Sequence, residues 1–374
     1  MATYLVSLVS EQTIPNVQII REFPPFDKYV FVTTEKTAKE GQADWIAKVC
    51  QLPAEHCIRK KVIEDSLADI FNRMDELKLA AGDEVTVNLT GGTKIMALGV
   101  FQYFTQKHPA NSIVYIPIGA NAYKVLFPPG AGEEKIPLVL RLDLPAYLAS
   151  YGIEITAASK DDALEQPLNT TRLFFQKYPF GKTPLPALRQ WKDEQYKRGN
   201  RQAALNLSNP PAVLAGLESW LQTTGFRQRQ GGWLTDAEVQ WLIGGWFEEY
   251  VYMLCRVWLS LPEEAIGTSM MIKRREVLNE CDVIFTHNNT LHLIECKTSL
   301  NKERFEQTVY KIGAIRRDFG LQVRAYLFTA APAFRKGGQV EAHIANRLSL
   351  MNIRLVDDAI LRSETALSTF FNSL

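Results

Sequence analysis

The 374-residue sequence has only five cysteines, at positions 50, 57, 255, 281 and 296, and none of their spacings is that of a zinc-ligand pair. An odd, scattered set argues against a disulfide framework and for buried thiols in a reducing compartment, so the cytoplasm is the expected location. No apolar run approaches the roughly 20 residues of a membrane span, so no membrane partner is expected. The opening residues, MATYLVSLVS, lack the basic segment that precedes the apolar core of a signal peptide. Excess charge is missing too. The 42 lysines and arginines nearly balance 41 acids, leaving a net charge of +1 and no pull of the whole molecule toward nucleic acid. Neither Gly-x-x-x-x-Gly-Lys-Ser/Thr nor Gly-x-Gly-x-x-Gly occurs, and there is no internal repeat or low-complexity tract.

What is present is ordinary globular material, 46% hydrophobic and 22% charged, in a chain long enough for two domains. The charge is unevenly placed. Residues 172–229 hold ten lysines and arginines against three acids, so a basic connector lies between two near-neutral blocks. Such a stretch can follow a phosphate backbone or form a solvated helical face.

Up to about residue 145, strand and helix patterns alternate. Strand patterns cover Tyr4–Val9, Tyr29–Thr33, Cys57–Ile63, Val85–Leu89 and Ile113–Ile118. Helical spacing covers Thr37–Leu52, Glu64–Ala80 and Lys94–Lys107. This predicts an α/β fold, an open and mostly parallel sheet flanked by helices, with Tyr123–Phe127 and Ile136–Leu142 as an antiparallel extension. Ligands bind such sheets beyond the C-terminal strand ends. Two loops fall there, Ser10-Glu11-Gln12-Thr13-Ile14-Pro15-Asn16 and Asn88-Leu89-Thr90-Gly91-Gly92-Thr93-Lys94. In the second, glycines admit a close ligand and the next helix offers free N–H groups to a phosphate. Gly119 and Asn121 lie in a further loop on the same side.

Residues 146–230 read as a helical connector. Pro145–Tyr151, Leu188–Arg201 and Ala212–Thr223 are helical, separated by breaks at Pro179–Pro186 and Asn206–Pro211. Residues 231–374 form the second domain. A nearly all-apolar helix runs from Gly244 through Trp258 and carries Glu248 and Glu249. Lys273-Arg274-Arg275 then places positive charge before a hairpin of two apolar runs, Asp282–Thr286 and Leu291–Cys296. With Asn288-Asn289 as a two-residue turn, 287 pairs with 290, 285 with 292, and Asp282 falls opposite Glu295. Lys297 shares that face, and Glu280 falls opposite it. Two facing carboxylates need a cation or a proton between them, so the hairpin is a candidate divalent-metal site with a lysine beside it. Helix Lys302–Asp318, strand Val323–Thr329, helix Gln339–Leu350 and strand Ile353–Val356 follow.

The two N-terminal loops, in that order on that alternation, resemble the CARF domain of CRISPR-associated proteins. The C-terminal element order, with Asp282 and Glu295-Cys296-Lys297, resembles the PD-(D/E)XK restriction-endonuclease core, Cys281 standing where that motif has proline. Together, with Gly-x-Trp-Phe-Glu and Asn-Glu-x-Asp, they resemble the single-CARF effectors of type III CRISPR systems, the Card and Can nucleases. The resemblance implies a Rossmann-like CARF domain over 1–145 joined to a restriction-endonuclease-like α/β domain. It implies a homodimer whose pocket binds cyclic tetra-adenylate through Ser10, Gln12, Thr13, Ile14, Asn16, Thr90, Gly91, Gly92, Thr93 and Lys94. It further implies that binding switches on cleavage of DNA or RNA with Mn²⁺ or Mg²⁺. Asp282, Glu295, the Cys296 carbonyl and Glu248 are the expected metal ligands, with Lys297 catalytic and Glu280 holding Lys297. Two other readings stay open: a catalytically silent sensor of the messenger, and a restriction or repair nuclease that needs no activator.

Overall fold

A computed structural model describes residues 1–107, 112–130, 134–157, 168–177, 182–317, 319–320, 323–330 and 335–374. Residues 179–181 of the expected proline-rich break and the expected helix end at Asp318 lie outside them. The first sheet has strands β1 (Thr3–Leu8), β2 (Lys28–Thr33), β3 (Cys57–Lys61), β4 (Glu84–Asn88), β5 (Ser112–Tyr115), β6 (Ala122–Phe127) and β7 (Ile136–Pro137), ordered β3-β2-β1-β4-β5-β6-β7. Pairings from β3 to β5 are parallel; β6 and β7 add antiparallel, as the pattern predicts. The loops after β1, β4 and β5 therefore emerge on one edge.

Six helices accompany this sheet: α1 (Ile14–Glu22), α2 (Glu35–Glu40), α3 (Gln42–Val49), α4 (Leu67–Asp75), α5 (Lys94–Lys107) and α6 (Leu144–Ala149). α1 is absent from the sequence reading, where Ile14-Pro15-Asn16 is a loop. Proline at the first helical turn costs no hydrogen bond, and the chain turns helical there. The single helix expected over Thr37–Leu52 is two, because Gly41 adopts φ +85° and closes the first. α4 starts only after Ser66, whose side chain caps the amide of Asp69, so the helix is shorter than its apolar spacing suggests.

The second sheet has the order β17-β14-β13-β12-β11-β8. Its strands are β8 (Ile153–Ala157), β11 (Ile266–Arg274), β12 (Val277–His287), β13 (Thr290–Lys297), β14 (Val323–Thr329) and β17 (Ile353–Val356). Small two-stranded ribbons, β9 (Leu205–Asn206) with β10 (Trp233–Leu234) and β15 (Arg335–Lys336) with β16 (Gln339–Val340), sit outside it. Its helices are α7 (Leu168–Lys177), α8 (Leu185–Lys197), α9 (Leu217–Thr224), α10 (Asp236–Gln240), α11 (Trp246–Trp258), α12 (Lys302–Arg317), α13 (Ala342–Leu350), α14 (Asp358–Leu361) and α15 (Glu364–Asn372).

The connector is thus not purely helical. β8 belongs to the second sheet as its edge strand, pairing with β11. Phe174, Phe175, Leu185, Leu188 and Trp191 share a core with Trp246, Phe247 and the inner face of β12 and β13. A second core runs across both domains, joining Leu5, Ile14 and Ile46 through Tyr147 and Leu148 to Ile284, Leu293 and Phe305. No helix among the described residues is long and apolar enough to cross a membrane.

Candidate active site

The Asn288-Asn289 turn forms as its residues require, both at positive φ (49° and 58°), and β12 pairs with β13 in the expected register, 287 with 290 and 285 with 292. The ladder ends at Val283–Ile294. On the other side, β11 pairs 268 with 283 and 270 with 281, skipping Ser269, which has φ +45°. Asp282 therefore lies where both neighbouring strands let go of β12. Its Oδ2 accepts the freed Cys296 N–H at 2.7 Å.

Glu295 and Asp282 are buried, 4% and 6% exposed, and face one ammonium. Lys297 Nζ donates to Glu295 Oε1 at 2.6 Å, to the Cys296 carbonyl at 3.0 Å and to Asp282 Oδ2 at 3.2 Å. Glu280 is exposed and its carboxylate helps to raise Glu248, but it forms no bond to Lys297, which corrects the expectation that it holds the lysine. The reason is the register: the β12–β13 ladder ends at Val283–Ile294, and Glu280 is paired with Met271 of β11 alone. A second lysine, Lys311 of α12, donates to both Glu295 oxygens at 2.9 Å. The sequence reading does not single out Lys311. The available signal is helical spacing, Arg304, Gln307, Thr308 and Lys311 falling on one face.

Burial and the neighbouring Glu295 carboxylate push the Asp282 carboxyl up. Burial pulls on Lys297 in the opposite sense, toward neutrality, but Asp282 and Glu295 outweigh it and hold the ammonium above its ordinary range. The Cys296 thiol is pushed well up by burial and the carboxylates, so only its carbonyl is available as a ligand. Glu248 on α11 approaches from the side and accepts from Ser269 Oγ at 2.8 Å. Burial and then Asp282 raise it to about 7. Glu249 instead accepts from Trp241 Nε1 at 2.8 Å and takes no part.

The raised Glu248 has a measurable consequence. An acid whose folded pKa exceeds its unfolded value contributes most below the unfolded pKa and loses that contribution as pH rises through the folded one. Between about pH 4.5 and 7 the loss amounts to about 3 kcal/mol. Glu248→Gln is expected to raise the melting temperature by about 5 °C at pH 8 in a metal chelator and to leave it unchanged at pH 4. Equal shifts at both pH values would contradict the assignment.

A cleft of about 360 Å³ opens beside Lys297 and is lined by Arg189, Glu248, Thr298, Arg304, Gln307 and Thr308. Arg189, from α8 of the basic connector, donates to Thr298 Oγ1 at 2.8 Å and to the Ile243 carbonyl. Arg304 is exposed at the mouth of the cleft. Lys273-Arg274-Arg275, by contrast, does not flank the carboxylates. Arg274 and Arg275 sit at the far end of β11, in a cleft of about 350 Å³ with Glu11, Gln12, Glu40 and Tyr151. The position before the hairpin in sequence is one strand length from the site in space.

No group of three His, Cys, Asp or Glu side chains with metal-holding geometry occurs among the described residues. The donor set nevertheless fits a hard divalent cation. Two carboxylates and a carbonyl converge within 3.2 Å of a single point, the one Lys297 Nζ holds, with Glu248 beside them.

At the first sheet's loop edge, the predicted residues divide into two sets. Thr13 and Asn16 are 0% and 1% exposed, and Ile14 is also buried. Thr13 Oγ1 donates to the Ser150 carbonyl at 2.5 Å, and Asn16 Nδ2 to the Leu8 carbonyl at 3.1 Å. These three side chains build the loop and do not line a pocket, because α1 turns them into the core; the expectation is corrected there. Gly91 is buried as well. Ser10, Gln12, Thr90, Gly92 and Thr93 are partly open and Lys94 is exposed. Asn88 Oδ1 accepts from Thr90 N and Oγ1 at 3.1 and 2.6 Å, and Thr90 Oγ1 in turn accepts from Ile116 N at 2.9 Å. The loops after β4 and β5 are thereby tied together.

A parallel sheet presenting linked loops shares a core with a sheet that buries paired carboxylates and a lysine, which makes a two-domain α/β protein with a candidate hydrolytic site. Residues 4–147 match the family model described as the Card1 CARF domain, and residues 235–359 that of the Card1-like endonuclease domain. The chain belongs to the Card1-like CARF endonucleases. Among solved structures it is similar to Can2 from Sulfobacillus thermosulfidooxidans, solved in complex with cyclic tetra-adenylate, at 23% identity and TM-score 0.75, with 99% of each chain covered. It is also similar to protein VC1899 from Vibrio cholerae, at 19% identity and TM-score 0.76, covering 99% of this chain and 98% of that one. No curated protein is significantly similar in sequence.

Proposed function

We propose that the protein is a metal-dependent endonuclease of type III CRISPR antiviral defence, of the PD-(D/E)XK kind, switched on by cyclic tetra-adenylate and working as a homodimer. The observation that carries this reading is the Lys297 ammonium between Asp282 and Glu295, in a chain whose other sheet is a CARF domain. A two-fold symmetric cyclic messenger suits a pocket built from identical loops of two subunits. Ser10, Gln12, Thr90, Gly92, Thr93 and Lys94 are the side of that pocket each chain supplies.

In the proposed reaction a Mn²⁺ or Mg²⁺ ion, when bound, polarises the scissile phosphate and acidifies a water. Asp282, Glu295 and the Cys296 carbonyl would hold it, with Glu248 adding a carboxylate once ionised. Lys297, whose ammonium reaches all three of these groups, would orient the attacking water and offset charge growing on phosphorus. Lys311 keeps both Glu295 oxygens turned toward the site. Arg189 and Arg304 grip a flanking phosphate of the nucleic-acid strand. Arg304→Ala is expected to raise KM about tenfold with kcat little changed, and to reduce the salt slope of substrate binding by about one. A fall in kcat at constant KM would place Arg304 elsewhere in the reaction.

One assay tests the whole reading. Labelled single-stranded RNA, single-stranded DNA and supercoiled plasmid are incubated with Mn²⁺, with and without cyclic tetra-adenylate. Cutting of at least one substrate only when both additives are present is the expected result. Cutting without the messenger would make the enzyme an ungated nuclease, and messenger binding without cutting would make it a silent sensor.

A further inference from the structure

The end of the catalytic hairpin remote from the carboxylates is fastened to the CARF domain. Asn289, in the turn, is 3% exposed although it occupies a loop tip. Its Oδ1 accepts from Leu142 N at 2.8 Å, and its Nδ2 donates to the Leu140 carbonyl at 2.8 Å. The same Nδ2 lies 2.6 Å from the side-chain amide of Asn121. Thr286, one strand position before the turn, donates from Oγ1 to the Leu142 carbonyl at 2.9 Å. Three hydrogen bonds, two of them buried, and the close Asn121 contact thus join one hairpin tip to a neighbouring domain.

The CARF end of this fastening leads to the candidate messenger loops. Asn121 closes the loop between β5 and β6, whose first amide, Ile116 N, is bonded to Thr90 Oγ1. From Thr90 to Asn289 the path crosses the six residues of one loop, 116–121. Beyond Asn289, β12 and β13 stay paired as far as Val283–Ile294, one residue short of Asp282 and Glu295. A displacement of the loop after β4 is therefore delivered to the carboxylates along these paired strands, which β11 and β14 flank in the same sheet. The 146–230 connector need not carry it.

We infer that Asn289 is a positioning residue that couples the CARF loops to the catalytic carboxylates, so that messenger binding sets the active site through the hairpin tip. The inference rests on the messenger-gated reading above. Its specificity is sharp, because glycine at 289 keeps the backbone conformation. Asn-Gly is a favoured pair for a two-residue turn with positive φ, so Asn289→Gly removes the side-chain bonds without weakening the hairpin.

The test uses the full-length protein with Mn²⁺ and cyclic tetra-adenylate, comparing wild type, Asn289→Gly and Thr286→Val. Three quantities are measured: messenger affinity by calorimetry, cutting with and without messenger, and messenger-induced changes in hydrogen exchange of hairpin amides 283–294. Asn289→Gly is expected to bind messenger at least as tightly as wild type and, like wild type, not to cut without it. Its stimulation should fall about tenfold, and the hairpin exchange response should vanish. Thr286→Val should show the same pattern in weaker form. Full stimulation of Asn289→Gly, weakened messenger binding or cutting without messenger would each overturn the coupling role. A wild-type protein that binds messenger with no change in cutting or exchange would instead overturn the gated reading on which it rests.

Discussion

Glu295→Gln is expected to lower kcat by about 10³-fold, with messenger binding unchanged. Glu295 is the most connected group of the site: one oxygen takes Lys297 at 2.6 Å, and both take Lys311 at 2.9 Å. Glutamine fills the same volume but carries no charge and presents a single acceptor oxygen. Two ammonium groups would then face Asp282 alone, a balance that repels a divalent cation. Single-turnover cleavage at saturating Mn²⁺ and messenger gives the rate, and calorimetry gives the binding. A variant within about tenfold of the wild-type rate would remove Glu295 from the reaction.

Gly91→Ala should produce the complementary loss. A Cβ at Gly91 would lie 2.3 Å from the Leu8 carbonyl oxygen and 3.1 Å from its carbon. Both are backbone atoms at the end of β1 and cannot swing aside, so the loops after β1 and β4 must separate. Overpacking of this kind costs about 1–3 kcal/mol, which corresponds to messenger affinity weakened about 10- to 100-fold. Cutting at saturating messenger should be unaffected, since the catalytic hairpin touches neither loop directly. Wild-type affinity in this variant would show that the pocket lies away from the β1 and β4 loops.

Much of the catalytic half was legible in the residues because its information is local. Asn288-Asn289 sets a turn, the turn sets a register, and the register puts Asp282, Glu295 and Lys297 on one face. The same holds for the parallel sheet, where each strand and helix announces its own period. What escaped depends on distant segments meeting. Lys311 and Arg189 reach the site from α12 and α8; helical spacing groups Lys311 with Arg304 but does not say that this face meets the carboxylates. Glu280 lies beyond the last β12–β13 pair, so the pairing that would set it opposite Lys297 does not form. Lys273-Arg274-Arg275 is near the motif along the chain, yet an extended strand carries it to the CARF boundary. The loop at 10–16 reads as polar and open, while α1 draws Thr13, Ile14 and Asn16 into the core.

The placement of β8 bears on how such proteins can be taken apart and recombined. The chain contributes an edge strand to the nuclease sheet at 153–157, then travels through α7, α8 and α9 before returning at β11. A cut near residue 230, where the sequence changes character, would strip the catalytic fragment of that strand and of the aromatic helices packed under α11. An exchange of sensor modules between proteins of this design has its natural seam between α6 and β8. Even there, the apolar wedge of Tyr147 and Leu148 must be matched by the incoming domain. Sensor and blade are inherited as a fitted pair.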